Sequence, residues 1–310
     1  MEKNTTIVCY GEVLWDLLPT GPVLGGAPFN LAYRLHSLGR PTVMVSRLGR
    51  DDRGNEAIAR IAALGLETAY IQWDGRHATG TVHVRFDEKG GHDFTIVQDV
   101  AYDHIGADPD LVTLAGQATA LCFGSLIRRN PVSAGTLSRL LNAFHGHCAF
   151  LDLNLRKDCW TDAEIIAAIA DSSVLKLNDD ELGTVDRIFG LPGKTMAEKV
   201  RGLLAMTRLT TVVVTLGAGG AYAASRDGES AYEPGFAVEM VDTIGSGDAF
   251  AAGFLHKHLD GARLADACRF GNALGALVTA RRGATEAVSV AQIDEMLARG
   301  KRTPPDPRFP

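Results

Sequence analysis

The sequence predicts an α/β fold in which a mainly parallel sheet carries helices on its faces and a small β lid projects from it. Three observations lead there. Short apolar strands alternate with amphipathic helical segments along most of the chain. The stretch from 79 to 96 interrupts that alternation with strand-like periodicity. The 310 residues are 46% hydrophobic and 22% charged, which suits a globular protein with a substantial core and no need of staples.

The elements follow in order. Thr6 to Tyr10 reads as a buried strand ending at Gly11, and the alternating run EVLWDLLP comes next. Gly25-Gly26 opens an amphipathic helix: Pro28 suits its first turn, Leu31, Leu35 and Leu38 recur at helical spacing, and Gly39 closes it. PTVMVSRLG is the next strand, and Asn55 to Leu64 the next helix. TGTVHVRF and HDFTIV flank a DEKGG turn and predict an antiparallel hairpin. The α/β rhythm returns with strands at ATALCFGSL, HCAFLDLNL, SVLKLN and TTVVVTLG, and with helices at Pro131 to Phe144 and Met196 to Met206. YAASRDG turns at Asp227-Gly228. Two long helices, Ala249 to Leu259 and Leu264 to Ala280, precede the tail KRTPPDPRFP, which is expected to fray. No repeat or long linker divides the chain, so one domain is expected over 1–310, with a lid drawn from about 12–24 and 79–104.

Composition excludes several function classes. The formal net charge of −6, with no basic domain, argues against a nucleic-acid partner. Five widely spaced cysteines without a C-x-x-C pair read as reduced, buried thiols. The apolar stretch near the N-terminus is too short for a signal peptide, and no run approaches the roughly 18 apolar residues of a membrane span. A cytoplasmic protein without a membrane partner is expected.

The sharpest chemical signal is DTIGSGDAF, Asp242 to Phe250. Gly245, Ser246 and Gly247 lead into a helix whose apolar face shows in Phe250 and Phe254. Such a turn offers unpaired backbone N–H groups and a favourable dipole to an anion. Asp248 stands in the same first turn. By itself it reads as a helix cap; beside an anion site it also suits phosphoryl transfer to a hydroxyl, with the carboxylate taking the proton.

DTIGSGDAF resembles the C-terminal signature of the ribokinase-like (PfkB) carbohydrate kinases, with Ser246 in place of the commoner alanine, and GGAPFNLAYRLHSLG, Gly25 to Gly39, resembles their N-terminal one. The two lie far apart and in the family's order, and the resemblance covers essentially the whole chain. It implies a three-layer α/β/α ribokinase-like fold and an ATP-dependent sugar kinase. On matching positions it implies that Asp248 is the catalytic base and that Gly245, Ser246 and Gly247 form the anion hole. Asp16, Gly25, Gly26 and Asn30 become sugar contacts, although Asp16 alone would pass for a turn residue before Pro19.

In LDLNLR, strand alternation would put Asp152, Asn154 and Arg156 on one face. DLNLRKDCW resembles the corresponding stretch of the fructokinase and 2-keto-3-deoxygluconate kinase branch. That implies a place for Arg156 near the transferred phosphoryl group, and for Asp152 and Asn154 near the sugar. NDDE resembles the family's N-x-x-E motif, which implies that Asn178 and Glu181 orient Mg²⁺ through water; an acidic helix start capped by Asn178 is the plainer reading, and both can hold. TLGAGG resembles the nucleotide loop, with Thr215, Gly217 and Gly220 near ATP, and Asn272 matches a position near adenine. Asp242, Ile244, Val278, Arg281 and Gly283 match a monovalent-cation loop, so K⁺ enters as a further expected cofactor, although Ala287 stands where the family often has Ser or Thr. A homodimer is implied by the resemblance alone.

Other motifs are set aside. GLPGKT has Ile188 where a P-loop needs glycine, and the G-x-G begun at Gly217 reaches Tyr222 instead of a third glycine. His256 and His258 stand two apart on a helix, so they read as surface side chains pointing to different faces. For the sugar, fructose comes first, with ribokinase or 2-keto-3-deoxygluconate kinase as alternatives: FTIVQDVAYDHI lacks the arginine that would meet a sugar acid. A catalytically silent sugar-binding regulator is the alternative of another class, and a nucleoside kinase would need an apolar base pocket in the lid.

Overall fold

The computed structural model describes residues 5–86 and 92–309. In chain order the elements are β1 (Ile7–Tyr10), β2 (Leu14–Leu18), β3 (Gly21–Gly25), α1 (Ala27–Ser37), β4 (Thr42–Gly49), α2 (Asp52–Ala63), β5 (Ile71–Asp74), β6 (Gly80–Phe86), β7 (His92–Ile96), α3 (Pro109–Gln117), β8 (Ala120–Gly124), α4 (Pro131–Ala143) and β9 (Cys148–Asp152). Then follow α5 (Asp162–Ala170), β10 (Val174–Asn178), α6 (Asp179–Phe189), α7 (Met196–Met206), β11 (Thr211–Thr215), β12 (Ala221–Ser225), β13 (Ser230–Glu233), α8 (Ser246–His258), α9 (Leu264–Thr279) and α10 (Val290–Arg299).

Nine strands form one sheet in the order β13-β12-β11-β10-β9-β8-β1-β4-β5. Every pairing from β11 to β5 is parallel, and only β12 and β13 run against their neighbours. Its strands are apolar on both faces, as a doubly covered sheet requires. Val8, Tyr10, Val212 and Val214 join a core with α3 to α7, while Ile7, Cys9 and Val213 join a core with α1, α2, α8 and α9. The result is three layers, α/β/α, as expected.

The segments expected to form a lid make a separate four-stranded sheet, β3-β2-β6-β7. β2 pairs antiparallel with β3 and parallel with β6, and β6 pairs antiparallel with β7. The DEKGG turn lies outside the described residues. Among the described residues no helix is long and apolar enough to cross a membrane. All five cysteines are buried and unbridged.

Two expectations are corrected. The tail does not fray: the Phe309 ring stacks between Tyr222 and Tyr232, at centroid distances of 4.8 and 4.7 Å, and Arg302 pairs with Glu233 at 2.7 Å. Proline removes helix and strand options but not aromatic packing, and the tail uses the latter. His256 and His258 are half-buried, not surface side chains. His256 Nδ1 accepts from Arg40 Nε at 3.0 Å, its ring stacks on Phe270, and burial with the Arg40 charge pushes its pKa down to about 4. His258 stacks on Phe254.

Candidate active site

The C-terminal ends of β1, β9, β10 and β11 lie along one edge of the parallel sheet, where open α/β sheets place ligand crevices. Two chambers open there. The first, of about 340 Å³, is walled by β2 and β6 of the small sheet, the start of α1, the segment after β9 and the start of α8; its polar lining includes Glu12, Asp16, Asn30, Arg156, Lys176 and Asp248. The second, of about 540 Å³, is lined by Gly217, Gly220, Phe236, Met240, Asn272 and Ala276, among others. Asn178, Thr215, Thr243 and Gly247 line both, so the chambers meet at the start of α8.

The glycine pair fits its neighbours closely. A Cβ on Gly25 would stand 2.7 Å from Asp16 Oδ2, the register partner strand's carboxylate. Gly26, at φ 118°, would drive a Cβ into the Glu12 carbonyl. The pair therefore leaves room for both carboxyl-bearing residues. Glu12 Oε1 accepts from Ala27 N at 3.2 Å and so tethers the start of α1, while Glu12 Oε2 is buried without a partner among the described residues.

From α1, Asn30 Nδ2 donates to Asp248 Oδ2 at 2.8 Å, joining residues 218 positions apart. Asn30 Oδ1 is likewise buried and unpartnered. The two ends of the chain thus meet at one carboxylate. Asp248 stands in the first turn of α8, whose N-cap Gly245 takes a left-handed conformation at φ 76° and carries no side-chain cap. The N–H groups at such a helix start have no intrahelical partner and attract an anion.

Burial dominates the electrostatics. It pushes Glu12 up to about 7 and Asp16 up to about 6, with Arg156 pulling both down and Asp248 pushing both up. Asp248 is also raised, by burial first and then by the Asp152 charge, against the Asn30 hydrogen bond and the charges of Lys176 and Arg156. Ser246 N closes a turn onto the Thr243 carbonyl at 3.2 Å; a carboxylate poised above its ordinary range, beside the other amides of this helix start and facing a polar chamber, can take a proton from a hydroxyl while those amides hold an anion.

A family model described as "pfkB family carbohydrate kinase" matches residues 6–291. The chain belongs to the pfkB family of carbohydrate kinases. It is 30% identical over 304 residues to a fructokinase of Klebsiella pneumoniae, covering 92% of this chain and 96% of that one. Among solved structures it shares the fold of a Xylella fastidiosa fructokinase with bound ATP, at a TM-score of 0.83 and 24% identity over 96% of this chain and 98% of that one. It also shares that of a Vibrio cholerae fructokinase with fructose, ADP and calcium ion bound, at 0.80 and 24% over 96% and 100%.

Within this pfkB-family fold, the first chamber gathers Asp16, Gly26, Asn30, Asn154, Arg156, Gly245, Gly247 and Asp248, and the second gathers Ser246, Thr215, Gly217, Gly220 and Asn272. Gly25 stands behind Asp16 as described. Three expectations change in detail. Asp152 does not line either chamber: it is 5% exposed and is engaged by Lys176. The strand ends at Asp152 and Asn154 turns to φ 42°, so the predicted i, i+2, i+4 face does not exist, and Asn154 and Arg156 reach the chamber through a turn. Asparagine tolerates that left-handed conformation better than most residues.

Glu181 also stands behind the wall. Its oxygens accept from Leu155 N and Asn178 N, each at 2.8 Å, in a capping box that orients Asn178 toward the shared edge of the chambers. Asn272 Nδ2 is held by the carbonyls of Glu233 and Pro234, so it also pins the segment that closes the second chamber. Asp242 bridges the two loops of the expected cation site: Oδ1 accepts from Ile244 N at 2.9 Å and Oδ2 from Gly283 N at 3.0 Å, while the Val278 carbonyl accepts from Arg281 N.

Sequence reasoning missed Glu12 and Lys176. Both carried a signal: a charged residue inside an otherwise apolar, buried stretch, which needs a partner or a task.

Proposed function

We propose that this pfkB-family protein is a fructokinase, transferring the γ-phosphoryl group of ATP to a hydroxyl of fructose with Asp248 as base. The observation that carries this reading is the Asn30–Asp248 hydrogen bond, which puts the base of one signature at the polar chamber of the other. The hydroxyl oxygen bonds to phosphorus, the bond to the leaving ADP oxygen breaks, and the proton passes to Asp248. The amides of Gly245 to Gly247 take up negative charge, and Asp16, Asn30 and Asn154 orient the sugar. ATP supplies the phosphoryl group from the second chamber, against Thr215, Gly217, Gly220 and Asn272, toward Arg156 in the wall of the first.

The first chamber favours a neutral sugar over a sugar acid. Three carboxyl groups, Glu12, Asp16 and Asp248, stand in its wall against two cations, Arg156 and Lys176. An anionic substrate would meet like charge there, which ranks 2-keto-3-deoxygluconate below fructose, with ribose between them. For Mg²⁺, Asn178 faces the site and Glu181, through its capping box, positions it; the metal keeps most of its waters in such a setting. The Asp242-bridged loops suit K⁺. A closing lid that excludes water, a homodimer and a cytoplasmic location complete the reading.

Asp248→Asn tests it. The variant is expected to lose roughly 10²–10⁴ in kcat while binding sugar unchanged. Because Asp248 is raised, its base form disappears on acidification at a pH above the ordinary carboxylate range, and kcat should fall on that limb. Coupled-assay turnover of fructose, ribose and 2-keto-3-deoxygluconate checks the substrate. A preference for the sugar acid would reverse the ranking, and no turnover with any sugar of a broad panel would favour the silent regulator.

A further inference from the structure

Lys176 occupies the middle of the apolar strand β10 and is 7% exposed. An ammonium in such a place requires compensation. Its register partner on the adjacent strand is Asp152, and Nζ donates to Oδ1 at 2.9 Å and Oδ2 at 3.1 Å. A buried pair of this kind gives little net stability over apolar packing, so stability alone is a weak reason for it.

Its position supplies a better one. Lys176 lines the first chamber. A Cβ added to Gly247 would stand 3.4 Å from Nζ, so the ammonium lies against the opening turn of α8. An ammonium has three N–H donors, and Asp152 engages two.

We propose that Lys176 is a further catalytic residue, whose third N–H donates to a non-bridging oxygen of the phosphoryl group as it passes between nucleotide and sugar. The inference rests on the kinase reading above. The transferring group spreads its charge over three equatorial oxygens, and Lys176 stands against the same helix start that offers it amides. A buried ammonium acts there in a low dielectric, where a preorganised charge is worth far more than at an exposed rim such as that of Arg156. Lys176 keeps all its protons throughout; the hydroxyl proton goes to Asp248. Asp152 holds the ammonium charged and aimed before substrates arrive.

Lys176→Gln is the test, with Lys176→Gln/Asp152→Asn as a second variant that leaves no unpaired buried charge and so guards against misfolding. Both are expected to lose roughly 10²–10³ in kcat with the KM values for ATP and sugar unchanged. A structural role would not move the second readout: the rise in melting temperature produced by fructose, ADP, Mg²⁺ and aluminium fluoride together, a mimic of the phosphoryl group in flight. The part of that rise added by aluminium fluoride over fructose, ADP and Mg²⁺ without it should vanish in both variants, while the rise with ADP alone persists. Near-normal turnover in either variant, or retention of the aluminium fluoride effect, would overturn the proposal. If the unaltered protein phosphorylates no sugar, the kinase reading fails and takes this one with it; an active parent with an active Lys176→Gln sinks the lysine alone.

Discussion

The first chamber, about 340 Å³, is lined by the charged side chains of Glu12, Asp16, Arg156, Lys176 and Asp248 among apolar ones, whereas the second, about 540 Å³, is lined by small, apolar and uncharged polar residues. The difference matches two recognition problems. A small polyol offers many hydroxyls and little apolar surface, so it is held by fixed acceptors such as carboxylates. A nucleotide offers a broad flat base and a chain of phosphates, which shape and backbone amides can accommodate. The start of α8 belongs to both chambers, and substitutions can separate the three regions.

The largest effect is expected at the shared element. Gly245 sits at φ 76°, and a Cβ there would stand 2.3 Å from that of Ala284. Gly245→Val combines backbone strain of roughly 1–3 kcal/mol with this clash. It should displace the α8 amides and abolish turnover with either substrate saturating. Kinetics with preserved kcat would show that the amides are not the anion site.

Next comes a pair of opposite substitutions. Asp16→Asn removes charge from the first chamber and should raise the fructose KM by about tenfold or more, since a hydrogen bond to a charged group contributes roughly 1.5–3 kcal/mol, with the ATP KM unaffected. Ala276→Phe fills part of the second chamber and should raise the ATP KM with the sugar KM unaffected. If either variant changed both constants equally, the two chambers would not be separate sites.

How far the sequence alone revealed this division depends on the kind of contact. Backbone-dictated features were legible: the glycine turns at 25–26 and 245–247, the strand–helix alternation and the helix Met196–Met206 follow from local preferences. Asp16, Asn30 and Asp248 were legible because motifs carry them. Tertiary pairing accounts for Asp152 and Phe309, whereas Asn154 and the helix Asp162–Ala170 turn on local conformation. Asp152 faces Lys176 rather than the chamber because the neighbouring strand supplies a cation opposite it. Asn154 leaves the strand because its chain turns at φ 42°. Phe309 is ordered by two tyrosines more than 75 residues earlier, which no local window of the tail contains. The short helix Asp162–Ala170 carries its own local signal, since Thr161 and Glu164 form a capping box at its start.

The smallest effect concerns Glu12, the carboxyl group of the first chamber with an unpartnered oxygen. Burial raises it from 4.5 to about 7. Between those values the unfolded chain has released a proton that the folded protein still binds, so folding becomes less favourable as pH rises through this window. The stabilisation is complete below 4.5 and lost once pH exceeds 7. A shift of this size corresponds to at most about 3 kcal/mol. Glu12→Gln cannot ionise, yet its amide oxygen can still accept from Ala27 N. It should therefore melt up to about 5 °C higher than the unaltered protein at pH 8, with the difference shrinking toward zero at pH 4. Melting curves across that range decide the matter, since two proteins whose melting temperatures follow parallel pH profiles would mean that Glu12 titrates normally and that its free oxygen is solvated or already engaged. The same carboxyl lines the first chamber, so its ionisation near pH 7 changes the charge that a sugar meets there. The fructose KM of the unaltered protein should change across pH 7 more than that of Glu12→Gln, while the ATP KM, set in the other chamber, follows the same course in both.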